Sequence, residues 1–195
     1  MTQSTTAIEP ASAAGSVLGS LLIGVCGSSC ATSAAQLIEE ALTYTPDVTV
    51  VATPTACNLF LSEQLPVNVY TDTDWSDVPL HVKLLERTDT FIVAPTTATT
   101  FAKAVSGMAD TLVTALILAH GPGIYFQPCM NAWMWNSPSM RRTIGTLRGD
   151  GHFVLEPPPN TSRASRDLGS GVGAVPGTVM PDVTAHKLGI QQAQR

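Results

Sequence analysis

Short apolar runs alternate along the chain with longer stretches of helical character. Ser20–Val25, Val48–Ala52, Val67–Thr71, Phe91–Ala94, Ile124–Gln127 and Phe153–Leu155 are rich in Val, Ile, Leu and Phe, which predicts six buried strands. The stretches between them, over about 31–43, 55–63, 79–87, 99–119 and 138–148, predict helices. Strands alternating with helices imply a parallel sheet covered on both faces, a doubly wound α/β fold. Ligands of such folds bind beyond the carboxyl ends of the strands.

The pattern stops at both ends. Residues 1–17 are rich in Ser, Thr and Ala and predict a disordered segment. Residues 18–156 form the folded domain. After Glu156, Pro157-Pro158-Pro159 ends regular structure, and Gly169, Gly171, Gly173, Pro176 and Gly177 follow. Residues 157–195 therefore read as a Gly/Pro-rich flap and tail with little core of their own.

Composition changes this picture in one respect. Of 195 residues, 44% are hydrophobic and only 13% charged, so part of the surface is expected to be buried against other subunits. The net charge of -5 is uneven, because no Lys or Arg precedes Lys83. No basic cluster points to nucleic acid. Ser16–Ala31 has the small apolar look of a signal peptide but no basic start. No stretch is long enough to span a membrane, and a cytoplasmic location is expected. Cys26, Cys30, Cys57 and Cys129 lack paired metal-ligand spacing and no His cluster completes a site, so no metal is expected.

Four constellations carry candidate chemistry. Gly27-Ser28-Ser29 follows the first strand and leaves backbone N–H groups at a helix start, which suits a phosphate or simply a tight turn. Asp77-Val78-Pro79-Leu80-His81 reads as a cap, a first-turn proline and a histidine at a helix N-terminus, a setting that suits a neutral imidazole able to accept a proton. A solvent-facing helix histidine is the plainer reading. Pro95-Thr96-Thr97-Ala98-Thr99-Thr100 gathers hydroxyls at the end of the fourth strand, for a cofactor's polar edge or for a helix cap. Pro128-Cys129-Met130-Asn131-Ala132-Trp133-Met134-Trp135 places two Trp, two Met and one Asn directly after the fifth strand. Such an aromatic and thioether run packs on a ligand or on a neighbouring subunit.

The last run fits the PxMNxxMW signature at every fixed position and resembles the flavin-containing cysteine decarboxylases. These include phosphopantothenoylcysteine decarboxylase and the epidermin-type peptidyl-cysteine decarboxylases. Pro79-Leu80-His81 resembles the family's active-site histidine region, and Phe91–Thr100 the strand leading into its PASANT motif. Likeness extends over about residues 20–156. The resemblance implies FMN, a flavodoxin-like or Rossmann-like three-layer sandwich, and a homo-oligomer, a trimer or a dodecamer built of trimers, with flavin and substrate at subunit contacts. By position it implies Gly27, Ser28 and Ser29 on the FMN phosphate side, Thr53, Thr55 and Phe60 at a second flavin turn, and Thr97 beside the ring. His81 would be the base, and Met130 and Asn131 would meet the substrate, with Asn131 hydrogen-bonding the substrate's carboxylate. One departure stands out: Thr99 replaces the PASANT asparagine, leaving a hydroxyl in place of an amide.

The resemblance also separates two branches. The pantothenate branch reduces its enethiol product with help from a cysteine in a late ACGD-like segment. Here no cysteine follows Cys129, and Ala164-Ser165-Arg166-Asp167 is the nearest counterpart, with Ser165 at the cysteine's place. A hydroxyl is a far weaker acid than a thiol. The expected reaction is thus oxidative decarboxylation of the C-terminal cysteine of a ribosomally made precursor peptide, as in lanthipeptide maturation, stopping at the enethiol. The stretch 157–181 is a candidate peptide clamp. The alternatives are phosphopantothenoylcysteine decarboxylase in coenzyme A biosynthesis, opposed by the missing cysteine, and a non-catalytic flavin-binding regulator, opposed by His81 together with Asn131. A flavin prenyltransferase is opposed by the full PxMNxxMW run.

Overall fold

The computed structural model describes residues 16–60, 65–75, 79–157, 159–161, 170–173 and 177–193. Asp77 and Ser165 lie outside them, as do residues 1–15. Six strands, β1 (Leu21–Val25), β2 (Val48–Ala52), β3 (Asn68–Tyr70), β4 (Thr90–Thr96), β5 (Tyr125–Pro128) and β7 (Phe153–Val154), form one sheet in the order β3-β2-β1-β4-β5-β7. Every pairing in it is parallel. β1 and β4 are buried at every residue. That is why they read as unbroken apolar runs: a parallel sheet covered on both faces has no solvent side to alternate with.

One face of the sheet is covered by α1 (Ala34–Tyr44), where Leu37, Ile38 and Ala41 enter a cluster with Ile23, Val50 and Ile92. The other face carries α4 (Ala98–Ser106), α5 (Leu112–His120) and α7 (Pro138–Gly149), which bring Phe101, Leu116 and Leu147 onto Phe91, Val93 and Phe126. Burying each of these side chains contributes about 1.5–3 kcal/mol. The long apolar-periodic stretch at 99–119 is two helices rather than one. Gly107 adopts a left-handed φ of 65° and closes α4, and Thr111 opens α5 with a capping box shared with Thr114.

The tail also differs from its sequence reading. Val179–Ala193 is a helix, α8, and Val179, Met180 and Val183 are fully buried in the α1-side cluster. The Gly/Pro content of 157–177 masked this, since α8 has only a short apolar stripe. At the other end, Ser16 donates from Oγ to the Tyr44 carbonyl at 2.8 Å and Leu18 is buried, so the folded part begins by Ser16. Among the described residues no helix is long and apolar enough to cross a membrane.

Candidate functional site

The chain runs β1, β2, β3 in one direction across the sheet and then places β4 on the other side of β1. The crevice of a doubly wound sheet opens where this direction reverses, at the carboxyl ends of β1 and β4. Gly27-Ser28-Ser29 leaves β1 at that point, and Thr97 leaves β4. The loops are stitched together by main-chain bonds: Cys26 N–H to the Pro95 carbonyl at 3.1 Å, Thr53 N–H to Val25 at 3.0 Å and Cys129 N–H to Thr96 at 2.9 Å. Four consecutive strand ends, from β2 to β5, are thereby held in a fixed row.

Each loop presents neutral hydroxyl or amide groups. Ser28 caps a 3-10 turn, Ser29–Ser33, accepting from Cys30 N–H at 3.2 Å, while Ser29 is exposed. Gly27 abuts Thr55 so closely that a Cβ there would stand 2.3 Å from the threonine Cβ and Cγ2. Only glycine allows this approach of the β1 loop to α2 (Pro54–Phe60). Phe60 ends α2, and its side chain lies outside the described part. Thr53 is half-buried beneath α2 and Thr55 exposed on it. Thr97 caps α4, accepting from Thr100 N–H at 3.2 Å, with the two hydroxyls 3.0 Å apart. Thr99 is exposed in the first turn of α4.

Below this row lies a feature the sequence did not single out. The Thr100 hydroxyl donates to Cys26 Sγ at 3.2 Å, and burial pushes the Cys26 thiol up to about 11. Cys26 is thus a buried, protonated thiol at the end of β1 rather than a nucleophile.

On the β5 side, Asn131 caps α6 (Ala132–Asn136), its Oδ1 accepting from Met134 N–H at 2.8 Å. That leaves the amide NH2 for another partner. Met130 is buried, whereas Trp133 is 68% exposed and Met134 43%. Met130 and Asn131 also form a short strand, β6. It pairs antiparallel with β9 (Ser170–Val172), which in turn pairs with β8 (Pro159–Thr161). Gln127, buried in β5, donates to the Gly173 carbonyl at 3.5 Å and helps hold β9 there. A lone glutamine inside an apolar strand was the available signal for this contact.

His81 lies in the first turn of α3 (Leu80–Leu85), whose N-cap is Pro79 without a side-chain cap. Its ring is half-buried against Trp75, with centroids 5.6 Å apart. α3 links β3 to β4, so its N-terminus faces the same sheet edge as the loops above. The single chain does not bring His81 and Asn131 onto neighbouring strand ends: β3 and β5 are separated by β2, β1 and β4. Among the described residues no group of three or more His, Cys, Asp or Glu side chains is placed to hold a metal.

The donor set fits a flavin mononucleotide. Compact hydroxyl-bearing loops around a side-chain-free Gly27 suit a phosphate and a polyol chain, and the neutral hydroxyls at β4 suit the polar rim of a flat heterocycle. Comparison with known proteins agrees. The Flavoprotein family model matches residues 16–184. A phosphopantothenoylcysteine decarboxylase of rice, Oryza sativa subsp. japonica, is 33% identical over 144 residues, 68% of this chain and 65% of that protein. Mersacidin decarboxylase of Bacillus sp. is 32% identical over 143 residues, 70% of this chain and 73% of that protein. Among solved structures, a PPC decarboxylase mutant complexed with pantothenoylaminoethenethiol superposes with a TM-score of 0.78 at 27% identity, covering 85% of this chain and 96% of that one. SpaF, an FMN-dependent cysteine decarboxylase, gives 0.69 at 27% identity over 86% and 96%. A crevice at the β1/β4 reversal, an intact PxMNxxMW run and these likenesses converge, and the chain belongs to the Flavoprotein family, among the flavin-containing cysteine decarboxylases.

Proposed function

We propose that the protein uses FMN to decarboxylate, oxidatively, the C-terminal cysteine of a ribosomally made peptide, releasing an enethiol. Gly27, Ser28 and Ser29 hold the phosphate, Thr53, Thr55 and Phe60 the second turn, and Thr97 the ring edge. FMN, when bound, supplies the two-electron acceptor for oxidation of the substrate's Cβ–S unit to a thioaldehyde. His81 takes the thiol proton in that oxidation. Asn131, its Oδ1 engaged by Met134, turns its NH2 to the cysteine carboxylate and orients it without neutralising it. The carboxylate, beta to the thiocarbonyl carbon, then leaves as carbon dioxide, its bonding pair passing through the new C=C bond to sulfur. One proton returns to the sulfur to give the enethiol.

What carries the choice of substrate is that no cysteine follows Cys129, the nearest counterpart of the reductive branch's acid cysteine being Ser165 in Ala164-Ser165-Arg166-Asp167. Without that thiol the enethiol is not reduced, so the natural product is the oxidised one. The antiparallel pairing of β9 with Met130–Asn131 supports the further reading that 157–181 clamps an extended peptide beside Asn131. The small-molecule alternative is favoured by the rice likeness and is separable by mass. A peptide ending in cysteine should lose about 46 Da, carbon dioxide plus two hydrogens, under this redox chemistry. A loss of about 44 Da with a phosphopantothenoylcysteine substrate, and no reaction on peptides, would overturn the peptide reading.

The same reading includes a homo-oligomer, a trimer or a dodecamer built of trimers. β3 and β5 are four strand spacings apart, roughly 19 Å at about 4.8 Å each. A neighbouring copy's Met130–Asn131 segment set against His81 would complete the site. Trp133 and Met134, exposed beside Asn131, are the surface such a contact would cover.

A further inference from the structure

A histidine that handles a proton at one ring nitrogen is ordinarily oriented by a hydrogen bond at the other, which fixes both ring plane and tautomer. His81 departs from this. Its Nδ1 is sealed from solvent and has no hydrogen-bond partner among the described residues. The nitrogen left to meet a substrate is Nε2, and no polar group among the described residues anchors the ring from behind.

What the structure places against the imidazole is the indole of Trp75, 5.6 Å away between centroids with the planes tilted by 56°. Trp75 stands on a braced turn. Asp72–Asp74 form a 3-10 turn closed by a capping box, the Asp74 carboxylate accepting from Thr71 N–H at 2.7 Å. Asp72 Oδ1 accepts from Leu112 N–H at 2.8 Å, which ties the turn to the first residue of α5, itself fully buried. The indole therefore has a rigid base. It is nevertheless 38% exposed and belongs to neither core cluster. A large aromatic held firmly at the surface beside an unanchored histidine is not explained by core packing.

We propose that Trp75 is the positioning residue of His81: ring-on-ring packing fixes the imidazole plane and aims Nε2 at the substrate thiol, the task a hydrogen bond to Nδ1 would otherwise perform. This rests on the reading of His81 as the base. The Asp72–Trp75 turn and α5 then act as a relay of rigidity from the core to the reacting nitrogen.

The test uses the FMN-loaded protein and a peptide ending in cysteine. Trp75→Ala should lower kcat by about ten- to a hundredfold, the cost of a misaimed reacting group. KM and the flavin absorbance should stay unchanged. Trp75→Phe, which keeps a flat ring on a short stem, should recover most of the rate. Trp75→Leu fills volume without a plane and should remain slow; it carries the comparison if the alanine variant fails to fold. An unaltered kcat in Trp75→Ala or Trp75→Leu overturns the proposal, as does a rise confined to KM, which would make Trp75 a substrate contact. A phenylalanine variant as slow as leucine also overturns it. His81→Asn measured alongside separates the two ideas. If it is inactive while Trp75→Ala is fully active, only the positioning role fails. If it is fully active, the base assignment fails too.

Discussion

Gly27→Ala is the sharpest probe of the proposed cofactor loop, because its effect can be worked from the geometry. The added Cβ would stand 2.3 Å from both Cβ and Cγ2 of Thr55 and 3.1 Å from the Thr55 carbonyl carbon. Carbon atoms rest at about 3.5–4.0 Å from one another. The β1 loop and α2 must therefore part by more than about 1 Å on that contact distance. A threonine Cβ is fixed to its backbone and cannot swing clear as the end of a long side chain would. Overpacking of this kind costs about 1–3 kcal/mol. At roughly 1.4 kcal/mol per tenfold, that is about a five- to 150-fold weakening of FMN binding, if the loop must be in its native place to hold the phosphate. The assay is titration of FMN fluorescence quenching by the apoprotein. A companion cycle with Thr55→Gly isolates the cause: deleting the clashing atoms should make Gly27→Ala much less costly than in the parent background. Unchanged FMN affinity in Gly27→Ala, or strict additivity in the cycle, would refute the view that this close approach builds the flavin loop.

Three further outcomes are expected. Asn131→Asp keeps an oxygen to accept from Met134 N–H, so thermal stability should hold while a negative charge beside the substrate carboxylate abolishes turnover; Asn131→Ala should lose turnover and also about 1 kcal/mol of helix capping in a denaturant melt. Cys26 has a thiol raised from an ordinary value near 9 to about 11, so it contributes stability that is whole below pH 9 and is lost as pH rises through 11; Cys26→Ala should flatten that alkaline decline by roughly 2–3 kcal/mol, and equal slopes for the two proteins would contradict it. Met180→Ala should destabilise the fold by about 2–5 kcal/mol in the same melts, since Met180 is fully buried where α8 meets the α1 side, and a change under about 1 kcal/mol would show that α8 does not belong to the core.

The parts of the fold that could be read from the sequence are those in which local chemistry and tertiary role coincide. β1 and β4 announce themselves because burial on both faces demands an unbroken apolar run, and α7 because Ser137 caps it, its hydroxyl accepting from Met140 N–H at 3.1 Å, with Pro138 in the first turn. The stretch 99–119 reads as one helix because Gly107 looks like a tolerable helix glycine until its left-handed φ is seen, and because Thr111 signals a restart only through its reciprocal bond with Thr114. α8 is hidden in the sequence for a different reason. Its apolar contribution is concentrated in Val179, Met180 and Val183, one turn at the end of a Gly/Pro-rich approach, too short for periodicity to register.

The site shows the same division. Gly27 and Thr97 are legible individually as a turn glycine and a helix cap, and those structural duties are real, while Asn131 caps α6 in a way its aromatic surroundings in the sequence conceal. Capping consumes one acceptor on Asn131 and leaves the amide NH2, so the helix that needs the cap also fixes which end of the amide is available for chemistry. The pairing of β9 with Met130–Asn131 joins residues about forty positions apart through backbone bonds alone. Backbone pairing leaves little trace in side-chain identity, and a glycine such as Gly171 opposite Asn131 marks it only by its lack of bulk. The consequence is functional. Main-chain pairing holds β9 against Asn131 whatever side chains β9 carries, so under the proposed peptide reading this contact would not itself restrict the peptide's sequence.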